Sequence, residues 1–78
     1  GSPRGRRPVL LLGFDSIHDV LRAEKLLVGA GIACDLVPTP RDLSSNCGMS
    51  LECQVTQRQA IASLTREVDL GVRMMLER

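Results

Sequence analysis

Aromatic residues are all but missing from this chain: Phe14 stands alone, with no Tyr and no Trp. One ring cannot build the stacking platform on which single-stranded nucleic acids lay their bases. It also leaves the core to Leu, Ile, Val, Ala and Met. Positive charge is scarce outside the first residues, since setting aside Arg4, Arg6 and Arg7 turns the formal net charge of +1 into −2. A mildly acidic body argues against nucleic-acid binding, which calls for a clustered basic face. No apolar run approaches the roughly 18 residues that span a bilayer, and nothing reads as a signal peptide, so a soluble protein without membrane association is expected. The three cysteines, Cys34, Cys47 and Cys53, are odd in number and form no C-x-x-C pair. That excludes a disulfide framework and a zinc knuckle, and points to a reducing cytoplasm. With His18 the only histidine, no paired imidazole ligands exist, and no metal or organic cofactor is expected. A phosphate-cradling glycine loop followed by lysine is also absent, and a Ser-His-Asp hydrolase needs a deeper pocket than a chain this short readily builds.

What is present is a regular alternation of short elements. At 78 residues the chain has room for one modest core. Gly1-Ser2 reads as a scar of tag removal, and 1–7 as a flexible basic tail ahead of a single domain over 8–77. Residues 8–14 form a nearly continuous apolar run, the pattern of a central strand. Asp15 or Ser16 offers an N-cap, with Asp19 placed to complement the helix start. The helix runs to about Val28 on a stripe of Ile17, Val20, Leu21, Leu27 and Val28, with Ala23 and Ala30 at its edge, and Gly29 or Gly31 ends it. Residues 32–37 alternate as a second strand with Ile32, Cys34 and Leu36 inward, closed by Pro38 and Pro40. Thr39 ahead of Pro40 predicts a short helical turn over 40–46. Residues 49–55 show the cleanest period-two pattern: Met49, Leu51, Cys53 and Val55 inward, Ser50, Glu52 and Gln54 outward on a face that is wet or covered by something polar. Thr56 and Gln59 form a capping box for a second helix, with Ala60, Ile61, Leu64 and Val68 inward. Gly71 breaks it, and 72–77 supply a last strand.

The order βαββαβ predicts an α+β, ferredoxin-like fold, a four-stranded antiparallel sheet with both helices on one face. In the strand order 4-1-3-2 the third strand lies beside the first, which brings Cys47-Gly48 to the sheet end that carries 13–16. A helix start and a cationic neighbour favour the reactive thiolate, and the first turn of the helix supplies both backbone N–H groups and His18. The negative end of a short turn just before Cys47 would oppose them. Gly48 lets a backbone approach a sulfur-bound group, and Ser44, Ser45 and Asn46 could donate hydrogen bonds to it, although the same residues are ordinary turn formers. Cys34 and Cys53, on inward strand faces, read as buried small hydrophobes. Asp15, Asp19 and Asp42 read as capping groups rather than acid/base catalysts.

The run 14–20, then 23–27, Gly31-Ile32, and above all 37–48 with its Pro-x-Pro-Arg-x-Leu-Ser-Ser-x-Cys-Gly signature, resemble the small bacterial proteins of the Se/S carrier protein-like family. The likeness covers 8–77 and is weakest in the last third. It implies a link with selenium and sulfur metabolism, with Cys47 holding persulfide or perselenide sulfur. Donor and acceptor enzymes would be transient partners, and the chain a monomer or weak homodimer. Arg41, inside the signature, joins Ser44, Ser45, Asn46 and Gly48 as a supporting residue. Ser16-Ile17-His18 corresponds to the family's Ser-Thr-His run, with Ile17 departing from it.

Two readings of different kind stand beside each other. In one, Cys47 is a carrier thiol, and the chain is a carrier protein more than an enzyme. In the other, the chain is a non-catalytic ferredoxin-like binding or regulatory module whose cysteine is structural. A third, a redox sensor forming a disulfide from Cys47, is disfavoured by the inward placement of the other two cysteines.

Overall fold

A computed structural model describes residues 8–41, 43 and 47–78. Residues 1–7, with the tail expected there, and Asp42, Ser44, Ser45 and Asn46 lie outside the described residues. The elements run β1 (Val9–Gly13), α1 (Ile17–Gly29), β2 (Asp35–Pro38), β3 (Met49–Gln54), a single 3-10 turn (Val55–Gln57), α2 (Arg58–Glu67) and β4 (Met74–Glu77). The four strands form one antiparallel sheet in the order β2-β3-β1-β4, the ferredoxin-like arrangement with both helices on one face.

Strand β1 is central because its residues can be buried on both sides. Leu10 and Leu12 face the helices, pairing in register with Cys53 and Leu51 of β3. Leu11, on the opposite face, is also buried at 2 % exposure. Phe14, Val20, Ala23, Leu27, Ile61 and Leu70 complete the core between sheet and helices.

Helix α1 begins as its sequence dictates. Ser16 is extended, and its Oγ accepts from the Asp19 amide at 3.3 Å, satisfying one of the first-turn donors. At the other end the Ile32 amide donates to the Leu27 carbonyl and the Gly31 amide to Val28, with Gly31 at φ 83°, a Schellman stop in which glycine takes the left-handed position without steric cost. The expected apolar stripe is only half used. Val20, Ala23 and Leu27 are buried, whereas Ile17, Leu21 and Val28 are exposed. At 100° per residue the second set sits roughly 100° round the helix from the first, beyond the arc that a four-stranded sheet covers.

Three boundaries differ from expectation for local reasons. Strand β2 starts at Asp35 and is the sheet's edge, so its Leu36 stays 39 % exposed instead of turning fully inward. Thr56 falls inside the 3-10 turn, where it cannot adopt the extended backbone of an N-cap, and α2 starts at Arg58 without a side-chain cap. Strand β4 begins at Met74, preceded by an Arg73 amide bond to the Gly13 carbonyl at 2.8 Å, while Val72 packs against the core.

Candidate functional site

The connection between β2 and β3 is anchored at both ends of 39–48, and Thr39 is the anchor the sequence did not reveal. Its amide donates to the Gly48 carbonyl at 2.9 Å, and its Oγ1 donates to the Cys47 carbonyl at 2.9 Å. The same Oγ1 lies 2.7 Å from Ser50 Oγ. A hydroxyl has one proton, so with that proton on the Cys47 carbonyl, Ser50 must be the donor of the second bond. One threonine thus holds the backbone on both sides of the Cys47-Gly48 peptide and satisfies a hydroxyl that is fully buried. Ser50 does point to the face away from the helices, as alternation predicts, and of the two expectations for that face it is covered here by a polar group, the Thr39 hydroxyl, rather than wet.

Leu43 supplies the apolar half of that cover. It is 3 % exposed, and an added Cβ on Gly13 would lie 3.3 Å from Leu43 Cδ2 and 3.5 Å from Met74 Cβ. Gly13 therefore permits the close approach of the loop to the end of β1. The Leu43 amide donates to the Pro40 carbonyl at 3.2 Å, closing one turn where a short helical turn over 40–46 was predicted. Threonine and leucine here resemble ordinary loop residues, so no local signal distinguishes them. Only the pairing of β1 with β3, which brings Gly13 and Ser50 together, makes them anchors.

The predicted site residues separate into two environments at this sheet end. Cys47 is 6 % exposed and belongs to the core cluster with Phe14 and Val20. Gly48 is exposed, and a Cβ there would meet nothing within 4 Å among the described residues. His18 and Arg41 are exposed, and Ser16 is half-buried with its Oγ engaged as the α1 cap. Asp15, expected to cap, instead accepts from Arg73 Nε at 2.8 Å. Ser44, Ser45 and Asn46 lie outside the described residues.

The other two thiols sit at the opposite end of the β2–β3 hairpin. Cys53 is buried and Cys34 half-buried, and all three cysteines are reduced. Burial, with the neighbouring Cys34 next in effect, pushes the Cys53 thiol up to about 12. Burial also raises Cys34, reinforced by the negative charges of Glu24 and Asp35. Both are therefore neutral thiols at ordinary pH.

This has a consequence for stability. In the unfolded chain the Cys53 thiol ionises near 9.0, whereas in the native state it keeps its proton up to about 12. The native state binds more protons across that window, so stability is undiminished below pH 9 and falls as pH rises through it. Urea midpoints measured from neutral to strongly alkaline pH should decline, and Cys53→Ala should flatten the decline. An identical decline in both proteins would refute the assignment.

Among the described residues no helix is long and apolar enough to cross a membrane, and no group of three His, Cys, Asp or Glu side chains could hold a metal ion. No curated protein and no solved structure matches the chain. Residues 10–77 do match a family model, described as "Putative Se/S carrier protein-like", and with nearly the whole sequence covered the chain belongs to that family.

Proposed function

We propose that this protein carries sulfane sulfur or selenium on Cys47 and delivers it to an acceptor enzyme. The observation that carries the reading is the clamp on the Cys47-Gly48 segment: Thr39 fixes the carbonyls of both residues, and Gly48 is exposed. Cys34 and Cys53 are poor candidates for the role, because burial and nearby carboxylates hold them neutral. Family membership supports it as well.

In the transfer, the Cys47 thiolate attacks the terminal sulfur of a donor persulfide. A new S–S bond forms at Cys47, the donor's S–S bond breaks, and the donor leaves as a thiolate, with no net oxidation. A perselenide donor reacts in the same way and leaves a Cys47 S–Se bond. Delivery is the reverse exchange onto an acceptor thiol. Gly48, Arg41, His18 and the segment 44–46 are the groups proposed to receive the bound anion or the partner's surface. Since Cys47 is 6 % exposed, loading requires local opening around the thiol when the donor docks.

That same burial favours the competing reading, a ferredoxin-like binding module in which Cys47 is a core residue. Cys47→Ser separates the two. In the carrier the substitution abolishes adduct formation and delivery to an acceptor while the fold persists. In the module it leaves function and partner binding intact.

A further inference from the structure

The β2–β3 ladder ends at the pair Asp35–Glu52, and the next residue beyond it on each side is a cysteine, Cys34 and Cys53. The two thiols lie near enough to shift each other's ionisation. They line one pocket of ≈ 260 Å³ together with Asp35, Glu52, Gln54 and Gln57. Directly opposed residues on antiparallel strands have Cβ atoms about 4.5–5.5 Å apart, close to the separation a disulfide needs. The pair also lies at the end of an edge strand, where the backbone can shift to close the remaining gap.

We propose that Cys34 and Cys53 are a second thiol site, which exchanges with small disulfides that carry no negative charge and closes into a cross-strand disulfide at the base of the β2–β3 hairpin. Their exposures assign the roles. Cys34, half-buried at the pocket, attacks one sulfur of the incoming disulfide, forming a mixed disulfide and releasing the first small thiol. Cys53, 2 % exposed and lining the same pocket as Cys34, then attacks the Cys34 sulfur and releases the second. Two protein thiols are oxidised by two electrons, one small disulfide is reduced to two thiols, and the two protein protons end on the leaving thiolates. Charge sets the substrate class. Glu24, Asp35 and Glu52 surround the pair and repel an anionic disulfide such as that of glutathione, whereas a cationic one such as cystamine is drawn in. The closed form encloses the whole of 35–52, and with it the Cys47 segment, in a covalent loop. This site does not depend on what Cys47 does.

The test uses the complete chain with Cys47→Ser, so that only this pair can react, incubated with cystamine at about pH 9, where the raised Cys34 thiol reacts through the minor fraction present as thiolate. Expected is a mass lower by two hydrogens, with Cys34 and Cys53 recovered in one linked peptide and a raised thermal midpoint that reverts on reduction. In a second variant that also carries Cys53→Ala, cystamine should remain on Cys34 as a stable mixed disulfide. A cystamine adduct persisting on Cys34 with Cys53 present, or no reaction of the folded protein, would overturn the proposal. The unsubstituted chain, mapped by fragmentation, guards against misfolding of the variants and must give the same linked peptide.

Discussion

Phe14→Ala should lower the chain's unfolding free energy by about 3–5 kcal/mol. Phe14 is the chain's only aromatic residue and is fully buried at the junction of β1 and α1. Truncating a buried phenylalanine removes its transfer free energy and leaves a cavity, together about 3–5 kcal/mol. A chain of this length holds about 4–12 kcal/mol of stability in all, at roughly 0.05–0.15 kcal/mol per residue. The loss therefore consumes a large part of the margin, and all of it at the lower end. Far-ultraviolet circular dichroism through a urea titration is the measurement, with Phe14→Leu as a milder control that keeps most of the volume. A midpoint for Phe14→Ala close to that of the parent would show that the core tolerates the void and that its packing is looser than described.

The second large effect concerns the loop rather than the whole fold. Thr39→Val keeps the shape of the side chain but removes Oγ1, the donor to the Cys47 carbonyl and the partner of the buried Ser50 hydroxyl. An orphaned buried hydroxyl costs about 1–3 kcal/mol. Because the cost falls on the closed state of 39–48, the segment opens more often. Alkylation of Cys47 in the folded protein should then quicken by about tenfold to a hundredfold, each tenfold matching about 1.4 kcal/mol. Leu43→Ala, which removes the apolar contact over Gly13, should act in the same direction. Alkylation monitored by peptide mapping, beside a urea midpoint for each variant, separates local opening from global unfolding. Unchanged Cys47 reactivity with a lowered midpoint would mean that Thr39 supports the sheet and not the enclosure of the thiol.

Much of the fold was legible because local patterns and topology agree. The alternation of 49–55 reads as β3, the Ser16 cap and Gly31 stop bound α1, and the order βαββαβ leads to the observed sheet order. Ser50 shows where such reading ends. Its face follows from period two, but its burial depends on Thr39 and Leu43, ten or so residues earlier, folding back over that face. The half-used apolar face of α1 has a similar origin, since a sequence shows how wide an apolar arc is and not how much sheet will lie beneath it. The site was legible in part. The sheet end that carries the 47–48 segment follows from topology, whereas the burial of Cys47 in the core and the clamp by Thr39 are long-range contacts without a sequence signature. Cys34 and Cys53 were read separately as small hydrophobes. Their juxtaposition emerges only from the β2–β3 register.

The central claim is that Cys47, and not either of the other thiols, holds the transferred atom. The most direct measurement is the distribution of persulfide among the three cysteines when the folded, unsubstituted protein meets a persulfide or perselenide donor at neutral pH. The sites are trapped by alkylation and mapped by mass spectrometry. The account predicts one added sulfur or selenium atom on Cys47, with Cys34 and Cys53 unmodified. Absence of any adduct on Cys47, or equal labelling of all three, would contradict it.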